Sequence, residues 1–171
     1  MPKTYFKVLS LFIFGLGFSE IKAEGVCRQI IPTIAKEVGV PVRLLTAMAR
    51  VESGHQCFAV NNAGQSLTFK TMQEAKDYAQ EQIQQGNENI DLGCLQINWR
   101  YHQQHFANPT QLLLPQNNIR YAAMFLKQLY HTLGSWSKAV AAYHSRTLEK
   151  GQGYMIKVAA AIHQENKTYL R

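Results

Sequence analysis

Three stretches of this chain carry apolar residues at helical spacing, a fourth reads as a polar helix, and each one stops at a glycine. Residues 26–38 run into Gly39, residues 42–53 into Gly54, residues 72–85 into Gly86 and residues 115–133 into Gly134. A glycine just past a helix adopts the left-handed conformation that closes the last turn without steric cost. Pro41 and Pro115 stand where the following helices begin, where a missing N–H does no harm. Leu44, Leu45, Met48 and Val51 form one stripe, and Ile119, Ala122, Leu126, Leu129 and Leu133 another. Such one-faced helices must bury their stripes against each other, so the chain is expected to fold as mainly α. Pro32 predicts strain or a kink in the first helix.

Two further helices are expected late in the chain. Ser135 caps one that contains Ala139–Tyr143, and the last spans about 154–165. Residues 58–70 break the helical pattern. Phe58-Ala59-Val60 and Leu67-Thr68-Phe69 flank a turn through 61–64, which reads as a short hairpin. Thr71 and Glu74 then form a capping-box pattern that opens the 72–85 helix. The expected fold class is mainly α (α+β), a single domain with a small β-hairpin insert, and 171 residues suit one core rather than two.

The first 23 residues read as an address. Lys3 and Lys7 make a basic start, Val8–Phe18 an apolar run of eleven, and Ile21-Lys22-Ala23 a cleavage point. Eleven residues fall short of the roughly 20 that span a bilayer as a helix, although an uncleaved anchor is the alternative. Residues 1–23 are therefore assigned as a signal peptide and 24–171 as the domain, located in the periplasm or secreted. Val26 before Cys27 does not suit lipoprotein processing.

The formal charge is +7, and removing Lys3, Lys7, Lys22 and Glu20 with the leader leaves +5. A basic surface is drawn to acidic polymers. Export and the lack of a dense Lys/Arg block argue against nucleic acid. Cys27, Cys57 and Cys94 permit one disulfide in an oxidising compartment, and the sequence leaves all three pairings open. No local protease signature surrounds any of them.

Glu52 lies on the last turn of the second, largely apolar helix. The negative end of the helix dipole and apolar packing both disfavour its ionisation, as a general acid near neutral pH requires. By itself, Glu-Ser-Gly is a common tripeptide. Here Glu-Ser-Gly (52–54), Gly-Cys-Leu-Gln-Ile-Asn (93–98) and Ala-Tyr-His-Ser (142–145) occur in order. Together they resemble the lytic transglycosylases with a goose-lysozyme-like catalytic domain, over about residues 27–160.

The resemblance implies a lysozyme-like domain acting on peptidoglycan glycan strands, with Glu52 as its catalytic carboxylate. Ser53 matches the hydroxyl neighbour. Gly93, Leu95 and Gln96, with Asn98 beside them, match the motif that shapes the sugar cleft. Tyr143 matches the tyrosine near the acid. Leu95 replaces a common Met and keeps apolar contact with a sugar face, Cys94 replaces an aliphatic residue, and His144 replaces Asn. No metal or organic cofactor is implied. The expected protein is a monomer whose partners include the wall and an envelope-spanning secretion or pilus apparatus.

With one acid, the resemblance implies cleavage of the MurNAc–GlcNAc bond. Glu52 donates its proton, then accepts one from the muramic C6 hydroxyl as a 1,6-anhydro ring closes. A lysozyme-type hydrolase would typically require a second carboxylate. Asp91 is the candidate, read here as a turn residue before Gly93. The other alternative is a non-catalytic wall-binding assembly factor. His102-x-x-His105 has metal-site spacing without further ligands, so a structural role is favoured. Trp99, Tyr101 and Trp136 either line a sugar cleft or fill core.

Overall fold

The computed structural model describes residues 25–169, so the expected leader at 1–23 lies outside the described residues. Seven α-helices surround a small antiparallel sheet: α1 Val26–Val38, α2 Val42–Ser53, α3 Met72–Gln84, α4 Trp99–His102, α5 Pro115–Leu133, α6 Trp136–His144 and α7 Leu148–Tyr169. The strands are β1 Ala59–Asn62, β2 Gln65–Thr68, β3 Ile90–Leu92 and β4 Ile97–Asn98, in the order β2-β1-β3-β4. Two 3-10 segments, Gln103–His105 and Pro109–Leu113, connect α4 to α5.

α2 is the central rod. Residues 44–49 are all buried, so the helix is enclosed rather than one-faced. α1, which continues through Pro32, packs Cys27, Ile31, Ile34 and Ala35 inward. Gly39 ends it with a positive φ of 79° and donates to Ala35 and Lys36 carbonyls. Lys127 of α5 reaches across to the Val38 carbonyl at 2.6 Å, placing a cation at the negative end of α1. At the other face of the bundle, Glu165 of α7 is buried and paired with Arg28 of α1 (3.1 Å) and Arg50 of α2 (3.6 Å).

Some expectations hold here and others are corrected. The expected hairpin forms, and it extends into a four-stranded sheet, because β1 also pairs with β3, and β3 with β4. Its turn is tightened to Ala63-Gly64, both at positive φ, the two-residue geometry that matches strand twist. The Thr71 capping box forms as expected. Ser135 holds the cap position of α6 without a side-chain bond. Leu133 is exposed at the end of the α5 stripe.

The last helix begins at Leu148, six residues before the expected start, and passes through Gly151 and Gly153. Glycine discourages a helix through its backbone entropy. At Gly151, however, a Cβ would lie 2.8 Å from the Ala141 carbonyl oxygen, so its absence lets α6 and α7 close on each other.

Asn118 of α5 is fully buried and ties the sheet to the helices. Its Oδ1 accepts from Leu95 N–H (2.8 Å), and its Nδ2 donates to Leu92 O (2.7 Å) and Leu112 O (3.0 Å). Gly93 lies directly against it at φ 78°, where a Cβ would sit 2.4 Å from Leu112 O and 2.6 Å from Asn118 Nδ2. Asn118→Ala strands these three backbone groups in a dry interior, and is expected to cost about 3–5 kcal/mol. Urea unfolding checks this against the exposed control Gln104→Ala, expected to fall within about 0.5 kcal/mol of wild type.

Candidate active site

The last turn of α2 delivers Glu52 to the edge of the sheet. Gly54 closes that turn at φ 62°, with His55 N–H returning to Ala49 O, so residues 52 and 53 keep helical geometry to the end. Ser53 Oγ donates to Cys94 O at 2.8 Å, fastening the helix end to the turn between β3 and β4. From α6, Tyr143 Oη donates to Leu95 O at 2.8 Å, one residue further along. The disulfide Cys27–Cys94 ties the same turn to α1, resolving the pairing that the sequence left open.

Strand register builds the wall next to Glu52. Asn61 is paired with Asp91, and Asp91 with Asn98, so these three side chains share one face across β1, β3 and β4. Val60, Leu92 and Ile97 form the next row, facing the core and buried. Asn98 Nδ2 donates to Asp91 Oδ1 at 2.8 Å and to Asn89 Oδ1 at 2.9 Å, while its own Oδ1 is buried and meets no hydrogen-bond partner among the described residues. Glu52 and this polar row line a cavity of about 230 Å³.

The cavity sets the electrostatics. Burial raises the Glu52 carboxyl from the usual carboxylate range to about 7; the nearby Tyr154 hydroxyl opposes the rise and the neighbouring Asp91 charge adds to it. Glu52 is only half-buried by its surface, so it remains open to a ligand in the cleft while its surroundings are poorly solvated. Asp91 is also raised, by burial, against the hydrogen bond from Asn98. Burial and then the Glu52 charge push both Tyr143 and Tyr154 well above the ordinary phenol value, so both remain donors. A carboxyl near 7 can hold a proton at neutral pH and release it when a basic oxygen approaches.

Of the residues singled out in the sequence, Glu52, Gln96, Asn98, Tyr143 and His144 line the cavity. Ser53, Gly93 and Leu95 do not. Leu95 is fully buried, so its side chain packs in the core rather than against a sugar face. Gly93 and Ser53 act on the shape of the turn, as their contacts above describe. Gln96 has φ 46° and donates from Nε2 to Ala59 O (3.1 Å) and Gly93 O (2.9 Å), bracing the turn from the cleft side. His144 is exposed and stacks on Tyr154 with ring centroids 4.5 Å apart.

Asp91 corrects the reading of a turn residue, since it sits mid-strand in the cavity. Its flanking pattern Ile90-Asp91-Leu92, apolar on both sides, was the signal that could have shown a strand with one polar face. Tyr154 was missed altogether. It lies about a hundred residues from Glu52 in a helix whose glycines obscure it, and no local pattern announces it. Among the aromatics, Trp99 is buried in the core and Trp136 stacks on Tyr130 beside a separate apolar groove, whereas the exposed Tyr101 lines the cleft. His102 Nδ1 bonds Tyr121 Oη at 2.7 Å, and both His102 and His105 pack on the Tyr121 ring.

Comparison with curated proteins and with solved structures returned no match. A family model, the transglycosylase SLT domain, matches residues 29–157, from the first turn of α1 to the middle of α7 and across every wall of the cleft. The mainly α body with its small antiparallel sheet agrees with the lysozyme-like architecture of that family. The chain therefore belongs to the transglycosylase SLT domain family, the lytic transglycosylases of peptidoglycan.

Proposed function

We propose that this chain cleaves the β-1,4 bond between N-acetylmuramic acid and N-acetylglucosamine, leaving 1,6-anhydromuramic ends, with Glu52 as acid and then base. The observation that carries this reading is the Glu52 carboxyl, raised to about 7 in a polar cleft that Gln96, Asn98 and Tyr143 also line. Protonated Glu52 gives its proton to the bridging oxygen as the bond to the sugar breaks. Positive charge on the sugar is supported by the substrate's own N-acetyl group. The resulting carboxylate takes the proton of the C6 hydroxyl as that oxygen closes on C1. The Tyr154 hydroxyl, held protonated beside Glu52, supports this step by turning to donate to the carboxylate formed between the two stages. Ser53 and Tyr143 hold the turn beneath it, and Gln96, Asn98 and Asp91 present polar groups to the glycan. The enzyme acts after export, in the periplasm or outside the cell, serving an envelope-spanning apparatus.

One observation favours a second reading. Asp91 supplies a second carboxyl in the same cavity, which a muramidase would use to activate water or stabilise the sugar cation. Digestion of purified sacculi with mass analysis separates the two readings. Anhydromuramic ends are expected, and reducing ends would overturn the transglycosylase assignment. Glu52→Gln is expected to lower release of those ends by about 10²–10⁴-fold, the scale of a general acid.

The raised carboxyl predicts that kcat/KM falls as pH rises through about 7, because the free enzyme must hold the proton. Asp91→Asn removes a like charge and is expected to move this limb to lower pH while products stay anhydro. An unmoved limb would show that the two groups are uncoupled. The same shift bears on stability. The folded state holds the Glu52 proton more tightly than the unfolded chain, so the associated stability is present at low pH and lost as pH rises through about 7. Glu52→Gln is therefore expected to be more stable than wild type at pH 8, by about 1–3 kcal/mol, with the gain vanishing near pH 4. Thermal melts at the two pH values check this and show that lost activity is not lost fold.

A further inference from the structure

Three sulfurs meet where α1, the loop after α2 and the β3–β4 turn converge. Cys27, Cys57 and Cys94 are each no more than 1% exposed, and their Sγ atoms all lie within 4.8 Å of one another. Cys27 and Cys94 form the disulfide, and the Cys57 thiol sits outside it with its Sγ 3.1 Å from that of Cys27. Thiol–disulfide exchange proceeds by attack of a thiolate on one sulfur of a bridge, and access to that sulfur ordinarily limits it. Here the attacking group is already in contact with its target. Attack runs along the S–S axis, and the three sulfurs, all within 4.8 Å of one another, are bent, so the Cys57 side chain must move into line before it attacks.

We propose that these three cysteines form an internal exchange unit, in which Cys57 displaces Cys94 from Cys27 and the bridge moves between two pairings. The Cys57 thiol gives its proton to solvent, and the new bond forms between Cys57 and Cys27. The Cys27–Cys94 bond breaks, its electron pair stays on Cys94, and Cys94 takes up a proton. One disulfide and one thiol stand on each side, so no oxidant or reductant is consumed. The resting pairing closes the longer loop, 67 residues against 30, which restrains the unfolded chain more. Burial pushes the Cys57 thiol up, which keeps it protonated and slows departure from that pairing.

The two pairings differ at the cleft. In the resting one, α1 is covalently tied to Cys94, whose carbonyl holds Ser53 and whose neighbour Leu95 holds Tyr143. In the other, the tie runs from α1 to Cys57, and the β3–β4 turn keeps only its hydrogen bonds. A looser turn shifts the groups around Glu52, so the second pairing is the slower enzyme. This last consequence rests on the proposed lytic activity, whereas the exchange itself does not.

The test is peptide mapping of the oxidised full chain. Protein held at pH 8 is quenched in acid, denatured there with maleimide, and digested with pepsin without reduction. A minor Cys27–Cys57 peptide with alkylated Cys94 is expected beside the major Cys27–Cys94 peptide. Its absence would overturn the exchange. Cys94→Ser is expected to be isolated with Cys27 and Cys57 joined, and finding both as alkylated thiols in a chain with native circular dichroism would also overturn it. Cys57→Ser should keep full lysis of sacculi, while Cys94→Ser should lyse roughly tenfold more slowly. Equal lysis by the two variants would remove the link to the cleft. Because the mapping needs no activity, a failed lysis assay and a failed exchange are told apart.

Discussion

The geometry of the site depends on how Asn118 holds the turn between β3 and β4. A turn of four residues buried against helices carries backbone N–H and C=O groups that no strand partner can reach, and leaving them bare in a dry interior is costly. One amide side chain satisfies Leu95 N–H in the turn and, at once, the carbonyls of Leu92 at the end of β3 and Leu112 before α5. Gly93 is required for the same reason, since the Asn118 amide occupies the space of a Cβ. With the turn held from below, its upper carbonyls are free to organise the site. Cys94 O receives Ser53 at the end of α2, and Leu95 O receives Tyr143 from α6. The end of the helix that carries the acid is thus positioned by backbone atoms rather than by a chain of charged contacts.

That arrangement explains how a carboxyl can be raised without being inaccessible. Glu52 lies in the last turn of a helix whose residues 44–49 are all buried, and it emerges beside a sheet face made of amides and one further carboxyl. Desolvation is the main cause of its shift, with Asp91 adding repulsion and the nearby Tyr154 hydroxyl acting in the opposite sense. The helix dipole gave the right direction at the level of sequence, but the larger influence is the crowding of α6, α7 and the sheet around one residue. The two neighbours pull in opposite directions. Asp91 favours the protonated form and Tyr154 the ionised one, as the proposed double role of acid and then base would use.

Much of the scaffold was legible because helices announce themselves locally. The boundaries of α1, α2 and α5 follow from apolar stripes and glycines at their ends, with prolines at the starts of α2 and α5, all interactions within a few residues. The start of α7 was missed because Gly151 and Gly153 speak against a helix on their own terms. The close approach of α6 that makes Gly151 useful is invisible until both helices are in place. The sheet was half legible. A two-residue turn betrays the hairpin, but three- and two-residue strands such as β3 and β4 exist only through their partners.

The sequence by itself determined a mainly α body, a hairpin, and the identity and helical position of Glu52, because these depend on periodicity, on caps and on motifs a few residues long. Only the tertiary structure decided what surrounds that carboxyl. Cross-strand register turned Asp91 from a turn residue into a cleft residue, and packing sent Leu95 inward. Long-range contact brought Tyr154 and Asn118 into play and chose Cys27–Cys94 over two other pairings. The physical reason is the same in each case. Burial, register and sulfur-to-sulfur distance are properties of residues far apart in the chain, and a local pattern holds no information about who their neighbours will be.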